Sequence, residues 1–351
     1  MKGMHARVRD FEDLKILYVI SEFLSFQIFK SSLFSYNETM DKIKIIFIGT
    51  SEIGVPLLEA LKSDDSFDIK LVITQTDKPA GRKMQLTASP VKLKAVDLGI
   101  EVFQPDNINN KDSVDRIKKL KPDMIVLMAY GQILKPDILE IPQYGCINVH
   151  ASILPKHRGA SPIQQSLLHG DTETGISIIK MVEKMDAGPV YAVSKIPITD
   201  EDNAITLSNK LARLTAKRTP EVLSEIVFDG LKPVHQDHEK ATYCQKIRKS
   251  DGNIDWKEQA DIIAAKVRAF AGWPGTHTFW DGKRIKILFV TPLPYFGNEQ
   301  PGTVSDYSGD IIVTCGKDAL ILNEVQMEGK KSQSISEFIK GYSDFVGSVV
   351  G

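Results

Sequence analysis

Cysteine is scarce: Cys146, Cys244 and Cys315 are the three in 351 residues, far apart and without any C-x-x-C pair. So odd and scattered a set argues against a disulfide framework or a zinc site and fits a reducing compartment. Long apolar runs are missing too. The most apolar N-terminal piece, residues 16 to 34, is broken by Glu22 and Lys30, short of the roughly 18 uninterrupted residues that a membrane span needs. It also lacks a small-residue cleavage site, which argues against a secretory signal. Charge of one sign is absent: 44 Lys and Arg against 45 Asp and Glu leave a formal net charge of -1. Any nucleic-acid contact must therefore come from local basic clusters. No repeat or low-complexity tract stands out, and the length leaves room for two domains.

Residues 1 to 41 are aromatic-rich and end just before the first clear strand, with Met40 immediately upstream. They read as an extension outside the catalytic unit, even a misplaced start, or as a targeting or docking helix. From Lys42 the pattern becomes β-α alternation. The runs IKIIFI (43 to 48), DIKLVIT (68 to 74), EVFQ (101 to 104), DMIVLMA (123 to 129) and CINVH (146 to 150) are short and apolar, with helical stretches between them. Near-continuous apolar strands separated by helices predict a Rossmann-like, mostly parallel sheet covered on both faces, over residues 42 to 230. Residues 231 to 250 are polar and basic and read as a linker. Residues 251 to 351 begin with an amphipathic helix (259 to 270) and continue as short strands with Gly punctuation, which predicts a small β-barrel of the OB-like kind.

The turn after the first strand, Gly49 to Gly54, has G-x-x-x-x-G spacing, but Val55 and Pro56 stand where a phosphate loop needs Lys and Ser or Thr. It reads as a tight strand-to-helix turn. His235 and His238 lack further ligands nearby and read as a solvated stretch, while His157 reads as structural. The pair Asn148 and His150 is more specific. Alternate residues of a strand share a face, so both polar side chains are aimed at one place while Val149 enters the opposite layer. They stand at the carboxyl end of a strand, where such sheets bind ligands. A histidine in proton transfer needs a carboxylate to orient it. Asp186, in Met-Asp-Ala-Gly-Pro, is a candidate partner or a plain turn residue.

GCINVHASILPKHRGASPIQQSLLHGDTETGISI, followed by MDAGPVYA, resembles the 10-formyltetrahydrofolate-dependent formyltransferase family. The PAGRK loop (79 to 83) and the C-terminal domain (251 to 351) are similar to the branch whose acceptor is a charged initiator tRNA. The likeness runs from about Lys42 to Gly351, and residues 1 to 41 match nothing in the family. It implies a catalytic trio of Asn148, His150 and Asp186, a folate-contacting segment at Ser152, Ile153, Leu154 and Pro155, and a mobile-loop Arg82, beside Lys83, that meets the aminoacyl end of the tRNA. Ala151 stands where Gly is common, and Lys156-His157 where Arg-Trp is common, so the pocket rim is expected to differ. The implied reaction moves a formyl group from 10-formyltetrahydrofolate to the methionine α-amine of initiator methionyl-tRNA, with no metal and no membrane, in a cytoplasmic monomer.

Basic clusters at Lys78, Arg82 and Lys83, at Lys246, Arg248 and Lys249, and at Lys283, Arg284 and Lys286 are candidate tRNA-backbone contacts or ordinary solvated faces. Two rivals stay open: a formyltransferase acting on a small amine, and a nucleotide-binding or regulatory module with a nucleic-acid-binding barrel.

Overall fold

The apolar, β-branched run Ile43–Gly49 forms β1, buried at every position but Lys44. It is an interior strand of a seven-stranded sheet in a computed structural model whose described residues are 42 to 80 and 85 to 351. The chain from Ile43 to Gly351 is one compact unit. The expectations for residues 1 to 41, and for Arg82 and Lys83, lie outside the described residues.

On one side of β1 come β2 (Phe67–Ile73), the hairpin β3 (Lys78–Ala80) and β4 (Gln85–Thr87), and β5 (Val102–Phe103); on the other come β6 (Met124–Met128) and β7 (Cys146–His150). The hairpin stands apart from the large sheet, whose order is β10-β9-β7-β6-β1-β2-β5, where β9 is Glu173–Lys180 and β10 is Val190–Pro197. The two strands of Arg158–Gly159 (β8) and Tyr243–Cys244 (β11) pair with each other in parallel. The pairs from β5 to β7 are parallel, and β9 and β10 are antiparallel additions at the edge. The sheet is therefore mostly parallel, as the strand-helix alternation predicts. Its order reverses between β1 and β6, the kind of switch point beside which doubly wound sheets bind ligands.

Alternation along β1 divides the two faces. Ile45 and Phe47 meet α1 (Val55–Ser63), α2 (Pro90–Asp97) and the long α5 (Ala204–Phe228) through Leu57, Val91, Leu207 and Leu223. Ile46 and Ile48 meet α3 (Lys111–Leu120) through Val114 and Ile117. Each fully buried Ile or Leu contributes about 1.5–3 kcal/mol. Ser89 caps α2 by accepting a hydrogen bond from the Lys92 amide at 3.1 Å, and Pro90 suits the first turn. A shorter helix, α4 (Pro162–Leu168), follows β8.

Beyond residue 250, α6 (Ala260–Ala269) packs on an antiparallel sheet of β12 (Thr276–Trp280), β13 (Lys283–Leu293), β14 (Val304–Tyr307), β15 (Asp310–Thr314), β16 (Ala319–Met327) and β17 (Gln333–Ser334). This part has its own core around Ile263, Trp280, Ile285 and Leu320. Its strand order ends at β12 and β14, and among the described residues no ladder joins those two edges. The short, turn-punctuated strands thus form the expected antiparallel sheet, whereas a closed barrel would need that pairing. Ala269 and Phe270 leave this core and join the first one.

Candidate active site

Period-two alternation sends Val149 into the core under α1 and α5 and leaves Asn148 and His150 on the opposite face. Both are covered, at 8% and 6% exposure. The cover comes from the connection between β9 and β10. Because β9 runs antiparallel to β7, its end at Lys180 lies opposite Ile147, and residues 181 to 189 turn back over the sheet. Gly188 makes the return possible, since a Cβ there would stand 1.8 Å from the Lys180 carbonyl oxygen.

That return sets Asp186 on the pair. Asn148 Nδ2 donates to Asp186 Oδ1 at 3.2 Å, and His150 Nδ1 faces Asp186 Oδ2 at 3.6 Å. The Gly159 amide donates to Asp186 Oδ2 at 2.9 Å, and His150 Nε2 meets the His157 carbonyl oxygen at 2.9 Å. Both ring nitrogens of His150 thus face oxygen acceptors, so the Nε2 edge is fixed as a donor while Nδ1 faces the Asp186 carboxylate. Asp186 itself has φ +51°, a left-handed conformation that Asp tolerates better than most residues.

The segment after His150 is pinned at its root. Ser177 Oγ accepts from the Leu154 amide at 3.0 Å and donates to the Ser152 carbonyl at 2.7 Å, and Ser152 Oγ donates to the Lys156 carbonyl at 2.6 Å. Ser152 is fully buried. Ile153, Leu154 and Pro155 line a cavity of about 480 Å³ together with Lys156, His157 and Thr174. Asn148, His150 and Asp186 do not line that cavity. His157 is held by Asp171, its Nε2 lying 2.7 Å from Oδ2.

Residues 231 to 250 contribute more than a tether. Val234 bridges to Val190, the Thr242 hydroxyl accepts from the His157 amide at 2.8 Å, and Tyr243–Cys244 pair with Arg158–Gly159. Gln236 is buried at 9% exposure, and its Nε2 donates to the carbonyls of Asp186 and Gly188 at 2.9 and 2.6 Å. Sequence reasoning passed over Gln236 because HQDH carries no periodicity and no partner within reach along the chain. The thiols are packing groups: burial pushes Cys146 and Cys315 up to about 12 and raises Cys244. Among the described residues no group of three or more His, Cys, Asp or Glu is placed to hold a metal ion, and no helix is long and apolar enough to cross a membrane.

Lys246, Arg248 and Lys249 are exposed. His277 on β12 pairs with Lys286 on β13 and bridges to Asn253. Its imidazole is held below its ordinary value by burial first, then by the charge of Arg284, with smaller contributions from Lys249 and Lys286; the Gly275 backbone pulls the other way. Two basic clusters more than thirty positions apart in sequence therefore converge on one spot.

Residues 42 to 223 match the model of the formyl transferase family, and residues 246 to 343 that of the formyl transferase C-terminal domain. A protein of Caldanaerobacter subterraneus subsp. tengcongensis called methionyl-tRNA formyltransferase is 41% identical over 309 residues, covering 88% of this chain and 100% of its own. The chain belongs to the methionyl-tRNA formyltransferase family. A second member, from Bacillus subtilis, is 38% identical over 310 residues, covering 88% of this chain and 98% of its own. Among solved structures, an N-formyltransferase from Helicobacter canadensis, in complex with folinic acid and dTDP-3-aminofucose, aligns with a TM-score of 0.60 at 17% identity. That alignment covers 80% of this chain and 99% of the other, and it shows a shared fold. Methionyl-tRNA formyltransferase relatives thus match the described chain almost end to end, consistent with the resemblance starting at Lys42.

Proposed function

We propose that the protein transfers the formyl group of 10-formyltetrahydrofolate to the α-amino group of methionine on initiator methionyl-tRNA, giving N-formylmethionyl-tRNA for translation initiation in the cytoplasm. The observation that carries this reading is the meeting of Asn148, His150 and Asp186 at one covered spot beside the switch point of a formyltransferase sheet.

An α-amine titrates near 8 and must lose a proton before its nitrogen attacks the formyl carbon. Attack forms the new C–N bond and puts an oxyanion on the formyl oxygen. Collapse then breaks the bond from that carbon to the folate nitrogen, which takes up a proton. Asn148 Nδ2 has two hydrogens. One is held by Asp186, and the second is free for the oxyanion. The proton lost before attack leaves to solvent. The His150 Nδ1 and Asp186 Oδ2 pair has room for one proton between them, which it takes from the attacking nitrogen once the new bond makes it cationic and returns to the folate nitrogen. Their 3.6 Å separation is one that a bound substrate closes, as catalytic hydrogen bonds commonly do.

In this reading Ile153 to Pro155 form a wall for the folate, and Ser152, buried behind them, holds the segment through Ser177 and the Lys156 carbonyl. Arg82 meets the aminoacyl end of the tRNA, and Lys83, Lys246, Arg248 and Lys249 meet its phosphates. The C-terminal sheet, read as an OB-like module, carries the adjoining basic strand. The test is incubation with 10-formyltetrahydrofolate and either charged initiator tRNA or an amino-sugar nucleotide. Formyl transfer to the tRNA alone is expected, and transfer to the sugar alone overturns the assignment.

A further inference from the structure

Arg158 is the largest of the fully buried side chains, at 1% exposure, yet among the described residues no carboxylate lies within ion-pair distance of it. Its guanidinium donates instead to Gln236 Oε1, from Nε at 3.2 Å and from an Nη at 2.6 Å, and meets His238 Nδ1 at 2.9 Å and the Tyr243 hydroxyl at 3.4 Å. Enclosing a cation with neutral partners costs stability, so packing alone is a poor reason for it. What the arrangement does is orient one amide. With Oε1 held by two guanidinium donors, Gln236 must turn its NH2 toward the carbonyls of Asp186 and Gly188. Those carbonyls flank the left-handed turn at Asp186, whose carboxylate is held in turn by the amide of Gly159, the neighbour of Arg158.

We infer that Arg158 and Gln236 are positioning residues for the proposed formyl transfer: through the Gln236 amide, Arg158 fixes the backbone of the Asp186 turn and so the placing of its carboxylate against Asn148 and His150. The inference rests on the catalytic role proposed for that trio. A displacement of about 1 Å at such a site costs on the order of 100-fold in rate.

The decisive variant is Gln236→Glu. It gives Arg158 the carboxylate it lacks, which offsets the loss of the two amide hydrogen bonds, so the variant is expected to stay folded. It also removes both N–H donors and sets a carboxylate oxygen against the two carbonyls. The expected result is a kcat lower by about 10- to 100-fold, a KM for folate and for tRNA within about twofold of the parent, and a shifted limb in the kcat pH profile. Gln236→Met, which removes both ends of the relay, is expected to shift the same limb while also lowering the melting temperature. A parent-like kcat and pH profile in Gln236→Glu overturns the inference, as does a rate loss in either variant that only follows the folded fraction. The parent enzyme is assayed beside them: if it fails to formylate charged initiator tRNA, the proposed function is at fault and the relay is not.

Discussion

Asn148 donates to Asp186 Oδ1 across 3.2 Å, joining the strand β7 to the loop after β9, 38 positions along the chain. The amide is thereby locked in one orientation, with its second hydrogen directed by the first. Removing an oriented donor of this type costs about 2.7 to 4 kcal/mol of transition-state stabilisation. Asn148→Ala is expected to lower kcat about 100- to 1,000-fold, and His150→Ala about 100- to 10,000-fold, with folate affinity nearly unchanged. Single-turnover rates beside equilibrium folate binding separate the two effects, and full turnover by both variants removes the pair from the mechanism.

Asp186 has two features that one substitution can part: a left-handed backbone and a charge. Asn accepts the same backbone about as readily, so Asp186→Asn should melt within a degree or two of the parent. Its amide can no longer accept a proton from His150. Turnover is expected to fall by about two orders of magnitude or more, whereas parent-like turnover would leave Asp186 as a turn residue.

Gly159 is required by geometry. Its φ is +121°, and a Cβ would stand 2.2 Å from the Cys244 carbonyl oxygen on the paired strand β11. Gly159→Ala must open the β8–β11 pair, which also carries the amide that holds Asp186. A loss of about 3 kcal/mol in denaturant unfolding is expected, with activity reduced beyond it. An unchanged midpoint would mean that the two strands separate at little cost.

The parts of this site that could be read in the sequence are those made by neighbours along the chain. Asn148 and His150 share a face because a strand has period two, and the apolar runs around them fix the sheet. Asp186 stood level between turn residue and partner, since its contact with Asn148 is made by a loop folding back across the sheet. Gln236 lies fifty positions from Asp186 in a stretch that looks solvated, and nothing local marks an amide that becomes oriented only when Arg158 is buried beside it. The barrel expectation failed to resolve for a similar reason. Strand runs and turns are local, whereas closure depends on which edges meet.

Lys246, Arg248 and Lys249 are exposed, and the charge of Lys249 reaches His277, the partner of Lys286 on the basic strand β13. Each phosphate contact to a single-stranded or duplex nucleic acid contributes about 0.7 to 0.9 to the slope of log affinity against log salt. Neutralising all three is expected to lower the slope for tRNA by roughly 2 to 3. Kd measured across a salt series is the check, and an unchanged slope takes residues 246 to 249 out of the tRNA path.

His277 reports on the same surface from beneath. Burial and the charges of Arg284, Lys249 and Lys286 disfavour its imidazolium, so its folded-state titration lies below the ordinary 6.5. As pH falls through about 6.5, the unfolded chain takes up this proton first, and the site's contribution to stability, complete above that pH, declines until the folded ring also protonates. Arg284→Ala removes the largest of the charge effects. The His277 ring resonance should then titrate at higher pH, and the loss of stability toward acid should become shallower. A bound tRNA phosphate beside the cluster should move the ring in the same direction, because a nearby anion favours the imidazolium. Proton NMR titration of the free protein and of its tRNA complex reads both shifts, and a ring that ignores Arg284→Ala and tRNA alike would place the basic surface away from His277.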